Sequence, residues 1–313
     1  MTANKTKSKA PGSSARKAAT KRSGVVAVKK PTIKPGRTAA AAAKLLSTVL
    51  DVSVRLKDRT QALVQIGNGV VGDRDTFKQI VSLVKDAAAD ATLRSNALSQ
   101  LQAATFEPSA FAPYRAAYMT ALRSLRRDPD MDIRQRVFGL LAREQDADTQ
   151  ALLLAGLDGT QDALLPPEKA LQLLSYDPHA GAYEVARKIE KAPPNALARR
   201  EALRVLAADA ESVDRFADVL QDKQEPTEVR QIAAGALNHL APKRMQAIAR
   251  EMALDDSESD DLRTVSLTAL AHFGDPGALT ADAQLQAHVR KITEGEGSTG
   301  LQAAAEQLKV RCS

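Results

Sequence analysis

Val229-Arg230-Gln231-Ile232-Ala233-Ala234-Gly235-Ala236-Leu237-Asn238-His239-Leu240 aligns without gaps on Leu262-Arg263-Thr264-Val265-Ser266-Leu267-Thr268-Ala269-Leu270-Ala271-His272-Phe273, 33 residues further on. The shared frame is apolar-Arg-x-x-small-x-x-Ala-Leu-x-x-large. Counting from the first residue as zero, positions 0, 4, 7, 8 and 11 fall on one face of a helix with 3.6 residues per turn. Small residues at 4 and 7 let a neighbouring helix approach closely. A fixed period of this length is the signature of a repeat array, so the chain is read first for repetition.

The frame recurs at Leu93-Arg94 with Ala97 and Leu101, at Ile133-Arg134 with Val137, Leu140 and Leu141, and at Ala198-Arg199 with Ala202, Val205 and Leu206. Its arginines are therefore Arg94, Arg134, Arg199, Arg230 and Arg263, separated by 40, 65, 31 and 33 residues. The gap of 65 spans about two repeats, and Glu168, Ala170, Leu171 and Leu174 fill it weakly. A second amphipathic pattern precedes each clear unit: Val213, Phe216, Ala217 and Leu220 before one, and Met245, Ile248, Ala249 and Met252 before the next. Each unit is thus a helical hairpin apolar on both sides, which has to stack on its neighbours.

These segments resemble HEAT repeats, and Gly274-Asp275-Pro276 after the last clear unit resembles the bacterial HEAT-like variety. The resemblance covers about residues 50–290 and is poorest near 55–66 and 167–175. It implies an all-α, right-handed α-solenoid of about five to seven helical hairpins. It also implies a non-enzymatic scaffold or adaptor that binds a macromolecular partner, most readily a protein, along its surface, since one fold hosts many functions and this family mostly holds partners. The repeated arginines are expected to pair with an acid of their own or the next repeat, Asp90, Asp132, Glu228, Asp260 and Asp261 being close in sequence.

Composition agrees with a helical reading. Hydrophobic residues make up 44% of the 313, but aromatics only 3%, with no Trp, so the apolar content is mostly Ala, Leu and Val. A β-sandwich or barrel would want more aromatic and β-branched residues. No apolar run approaches the 18 or so residues a membrane span needs. The single cysteine, Cys312, forms no internal disulfide, residues 1–24 lack the apolar core of a secretory signal, and a cytoplasmic location is expected.

Charge is distributed unevenly. Residues 1–50 hold twelve Lys and Arg and no acid, leaving 32 basic and 38 acidic side chains in the rest. Residues 1–38 combine these charges with Ala, Ser, Thr, Gly and Pro, and are read as a disordered basic tail. Lys5, Lys7, Lys9, Arg16, Lys17, Lys21, Arg22, Lys29, Lys30, Lys34 and Arg37 form a polycation able to bind nucleic-acid phosphates, on DNA or the ribosome, through counterion release. No aromatic interleaves them, so base stacking is not offered. A helix is expected from Ala39 to Leu50 with Thr38 as N-cap. The helical array is expected over residues 39–292, and 293–313 supply a Gly-rich link and a capping helix near Gly300–Val310.

Candidate chemistry is sparse. His239 and His272 share one slot of adjacent repeats, but no third ligand completes a metal site; His179 and His288 are isolated. The His-Glu pairs of deoxyhypusine hydroxylase relatives are absent, as is the Trp of alkylpurine glycosylase relatives, and nothing marks a chromophore site of the bilin-lyase kind. No GxGxxG, phosphate loop or HExxH occurs. The run Asp256–Asp261 reads as the end of one helix and the cap of the next. No catalytic, metal or cofactor residue is predicted.

Overall fold

The structure, a computed structural model, describes residues 35–312, with side chains from residue 40. Every regular element among them is helical. Six hairpins form the body: α3 (Arg74–Lys85) with α4 (Ala91–Ala104), α6 (Arg115–Ser124) with α7 (Met131–Arg143), α8 (Ala147–Leu157) with α9 (Pro167–Leu174), α10 (Ala180–Lys191) with α11 (Ala196–Leu206), α12 (Val213–Gln221) with α13 (Thr227–Leu240), and α14 (Pro242–Leu254) with α15 (Asp260–Phe273). Two further pairs flank them: α1 (Pro35–Leu50) with α2 (Leu56–Ile66), and α17 (Ala283–Thr293) with α18 (Thr299–Cys312). Short helices α5 (Pro108–Phe111) and α16 (Pro276–Ala281) lengthen two of the connections. The molecule is an all-α solenoid of helical hairpins.

Local chemistry sets the helix ends. Asp73, Asp90, Asp130, Asp146, Asn195 and Ser259 each accept a hydrogen bond from a backbone N–H of the first turn they precede, which satisfies donors that have no partner inside the helix. Pro167, Pro242 and Pro276 open α9, α14 and α16, where a missing N–H costs nothing. α1 already includes Pro35 among the described residues, so Thr38 is a helical residue and not the cap. Lys5, Lys7, Lys9, Arg16, Lys17, Lys21, Arg22, Lys29, Lys30 and Lys34 lie outside the described residues, and Arg37 falls in the first turn of α1.

Two apolar cores run through the array, and α7 belongs to both. Its Ile133, Val137, Leu140 and Leu141 join the N-terminal core, which extends back to Ala42. Its Phe138 joins the C-terminal core, which extends to Leu308. The last helix, α18, closes that core with Leu301, Ala304, Ala305 and Leu308, packing on α15 and α17.

The pattern arginines lie between hairpins. Arg94 donates from Nε to the Val84 carbonyl at 2.9 Å and pairs with Asp128, in the turn of the next hairpin. Arg230 repeats the geometry: Nε donates to the Leu220 carbonyl at 2.8 Å, and the fork meets Glu258 of the next turn, Nη1 at 2.9 Å. Arg199 reaches Glu225 at 2.7 Å and also Glu190. Each of these three thus meets an acid 26–34 residues ahead, Arg199 in addition to Glu190 nine residues back, and none meets the acids named beside it in sequence. Asp90 is spent on capping α4, and Glu228 pairs with Arg200.

The Arg94 and Asp128 side chains are only 2% and 3% exposed. Removing one partner of such a pair strands the other charge in a low-dielectric site. Asp128→Ala is therefore expected to destabilise the chain by about 3–5 kcal/mol. Urea unfolding of the variant beside the parent measures it; a shift in midpoint no larger than that of an exposed-pair variant such as Glu306→Ala contradicts the assignment.

Candidate functional site

One hairpin departs from the others. Between first and second helix, the turns of the α3/α4, α6/α7, α10/α11, α12/α13 and α14/α15 hairpins take four to six residues, whereas Asp158–Pro166 between α8 and α9 takes nine. The second helix is also short: α9 has 8 residues against 11–14 in α4, α7, α11, α13 and α15. The chain has moved helical residues into an irregular connection.

The sequence explains why. Gly159 has φ of +74°, a left-handed conformation that glycine adopts without penalty and that ends helices. The Thr160 and Gln161 N–H groups turn back to the Ala155 carbonyl at 3.0 and 3.2 Å and close α8. Pro166-Pro167 then delays the next helix, because the residue before a proline is held out of the helical region. In between, Leu165 is buried and Leu164 half-buried. Gly156 lets this connection lie against α8: a Cβ there would stand 3.1 Å from the Ala163 Cα.

What remains is an open cavity of about 340 Å³ bounded by α8, the connection, α9 and the end of α10. Leu152, Leu153 and Leu157 supply one wall, Leu164 and Pro167 a second, and Ile189, Ala192 and Pro194 the third. No carboxylate, imidazole, amine or hydroxyl lines it. The volume lies in the range of small-molecule sites.

The arginine pattern changes at the same place. Arg134 donates from Nε to the Asp128 carbonyl at 3.0 Å, and its Nη1 meets the Leu164 carbonyl at 3.2 Å where Arg94 and Arg230 meet carboxylates. The irregular connection thus offers a backbone oxygen in place of an acid. At the C-terminal end Arg263 differs again. Its Nη2 donates to His288 Nε2 at 2.8 Å, and Asp256 and Asp260 stand 3.5 and 3.6 Å away.

The remaining sequence candidates do not converge. His239 and His272 are exposed, and among the described residues no group of three His, Cys, Asp or Glu is placed to hold a metal. Ser259 caps α15 and Asp255 holds Ser257, which gives the 256–261 run its form. No helix among the described residues is long and apolar enough to cross a membrane.

No family model matches the chain, and no curated protein matches it. Among solved structures, the complex of CpcE and CpcF of phycocyanin lyase from Nostoc sp. PCC7120 is 13% identical over 93% of this chain and 99% of that one, with a TM-score of 0.29. Human deoxyhypusine hydroxylase in complex with glycerol is 14% identical over 88% and 97%, with a TM-score of 0.24. One is a lyase and the other a hydroxylase. On that finding the expectation of a non-enzymatic scaffold or adaptor, with its nucleic-acid-anchored alternative, is corrected: a repeat architecture does not confine a chain to holding partners. At these TM-scores neither structure lends this chain a residue role, a substrate or a partner.

His288 supplies a pH dependence. Burial, and then the positive Arg263, hold its pKa below the ordinary 6.5; Lys291 acts in the same sense, while Asp256 and Glu296 oppose. The folded state therefore binds protons less readily than the unfolded chain. The stability that neutral His288 contributes is complete above about pH 6.5 and is lost as pH falls below it. Unfolding midpoints at pH 7.5 and 5.5 are expected to differ less in His288→Gln than in the parent; equal differences would remove His288 as the cause.

Proposed function

We propose that this HEAT-like array is a ligand-binding protein whose site is the cavity between α8, α9 and α10, and that its ligand is a small, neutral, apolar molecule or an apolar group of that size. The observation that carries the reading is the coincidence of a lengthened turn, a shortened helix and a cavity of about 340 Å³ whose lining side chains are all apolar. Elsewhere in the array helices meet over buried Ala, Leu and Val side chains, and a hole of this size sacrifices contacts that closer packing would supply. A ligand restores them.

The lining dictates the ligand class. A charged group inside would lose its hydration with no partner to replace it. An aliphatic or aromatic group gains about 25 cal/mol for each Å² removed from water. The cavity residues themselves offer no acid, base or nucleophile, so their part is to hold and orient.

The test uses N-phenyl-1-naphthylamine, a neutral dye that brightens in apolar surroundings. Saturable one-site binding is expected, with a Kd of roughly 1–100 µM for a ligand of that size. Ala192 is exposed at the end of α10 and lines the cavity, so Ala192→Trp places an indole at its mouth without touching the core. That variant is expected to bind at least about tenfold more weakly. A dye signal that never saturates, or one that Ala192→Trp leaves unchanged, rejects the reading.

A further inference from the structure

Partly buried arginines in this chain characteristically meet a carboxylate: Arg94 with Asp128, Arg187 with Asp209, Arg199 with Glu225, Arg230 with Glu258 and Arg250 with Asp282. Arg136 of α7 does not, nor do Arg59, Arg126 and Arg134, but Arg136 alone of these four lines a pocket with a second cation. It is half-buried. Its Nη1 donates to the Ser95 carbonyl and its Nη2 to the Gln102 amide oxygen, both at 3.0 Å. Among the described residues it forms no ion pair, and its acceptors are neutral. Burial pulls its pKa down, with only the phenol of Tyr118 acting in the opposite sense. A guanidinium is not deprotonated in a protein. Its desolvation is therefore incompletely offset, and a carboxylate would complete it.

A pocket of about 330 Å³ opens beside this side chain, between α7 and α9. Arg136 and Gln135 line one side, Lys169 the other, with Leu165 and Leu173 also in the lining. Lys169 reaches only the Gln172 amide oxygen, at 3.4 Å, and like Arg136 forms no ion pair among the described residues. Asp132 lies on the wall as well, farther than ion-pair distance from both cations. Two cations against one acid leave the pocket positive by one charge. That balance suits a monoanion better than a phosphate dianion, which Asp132 would repel. The leucines give the ligand's hydrocarbon part an apolar surface.

We propose that this pocket binds a small aliphatic or aromatic carboxylic acid, its carboxylate between Arg136 and Lys169 and its hydrocarbon against Leu165 and Leu173. The site is separate from the α8–α10 cavity, sharing only Leu165 with it, and stands on charged residues which that cavity lacks. Failure of one reading leaves the other intact.

The experiment is calorimetric titration of the full chain with octanoate, with octanamide, octyl phosphate and an acetylated, amidated Leu-Glu-Leu peptide as comparisons. Octanoate is expected to bind saturably and octanamide at least about tenfold more weakly. Lys169→Gln is expected to weaken octanoate by about tenfold, and Arg136→Gln by more than that. Because Arg136 also holds Ser95 and Gln102, its variant can lose affinity by distorting α4 and α7. The exposed Lys169 carries the decision, its variant being required to melt like the parent. Ala192→Trp should leave octanoate binding unchanged. The proposal is overturned if Lys169→Gln binds octanoate as tightly as the parent, if octanamide matches octanoate, or if Ala192→Trp abolishes binding. Tighter binding of octyl phosphate or of the peptide overturns it equally.

Discussion

A buried guanidinium between two hairpins is the contact on which the array depends. Arg94 and Arg230 each bind two things at once: a carbonyl ten residues back, at the end of the preceding first helix, and a carboxylate about thirty residues ahead, in the next turn. The first fixes the hairpin's own fold and the second fixes where the following hairpin sits. Apolar faces of Ala and Leu would tolerate sliding by a turn, since their burial is non-directional. A planar fork aimed at one carboxylate would not. Buried pairs of this kind contribute little net stability compared with an apolar replacement. Their effect here is on the register of one repeat against the next.

Where that contact is altered, the packing loosens. Arg134 finds the Leu164 carbonyl and no acid, and the same connection holds the glycine, the two prolines and the short helix that leave a cavity behind. α7 carries Arg134 and divides its side chains between two cores, Phe138 on one side and Ile133, Val137, Leu140 and Leu141 on the other. Both candidate pockets open next to this junction, and Leu165 lines both. A repeat array has no central core to hollow out. Its simplest route to a pocket is a local lapse in repeat geometry, with regular hairpins on each side holding the shape.

Much of this was legible in the sequence. The five pattern arginines named five of the second helices, and the 65-residue gap between Arg134 and Arg199 pointed to a sixth unit, which is the irregular one. The gap was the available signal for the cavity, together with Gly159 and Pro166-Pro167, but spacing cannot say whether a weak repeat packs tightly or leaves a space. Of the acids that meet the arginines, Asp260 near Arg263 was legible, and the partners of Arg94, Arg199 and Arg230 were not. Asp90 and Glu228 are nearer in sequence than Asp128 and Glu258, and only the stacking of hairpins brings the distant ones into contact. The lone state of Arg136 was hidden for the same reason: it depends on which neutral groups of α4 face α7.

The two ends of the array show how charge follows from the same stacking rule. Residues 51–250 hold 27 acidic and 27 basic side chains, so the excess of acid lies entirely in 251–313, with eleven against five. Inside the array the turn acids Asp128, Glu225 and Glu258 are each matched by an arginine of the hairpin before them, Arg94, Arg199 and Arg230. At the C-terminal end Arg263 has no carboxylate of a following hairpin to meet among the described residues, and His288 of α17 accepts its hydrogen bond instead. An imidazole in that place makes the last contact sensitive to protons, where those of Arg94, Arg199 and Arg230 have a carboxylate. The proton-sensitive contact belongs to the terminal pair α17/α18, which packs against α14, α15 and the short α16.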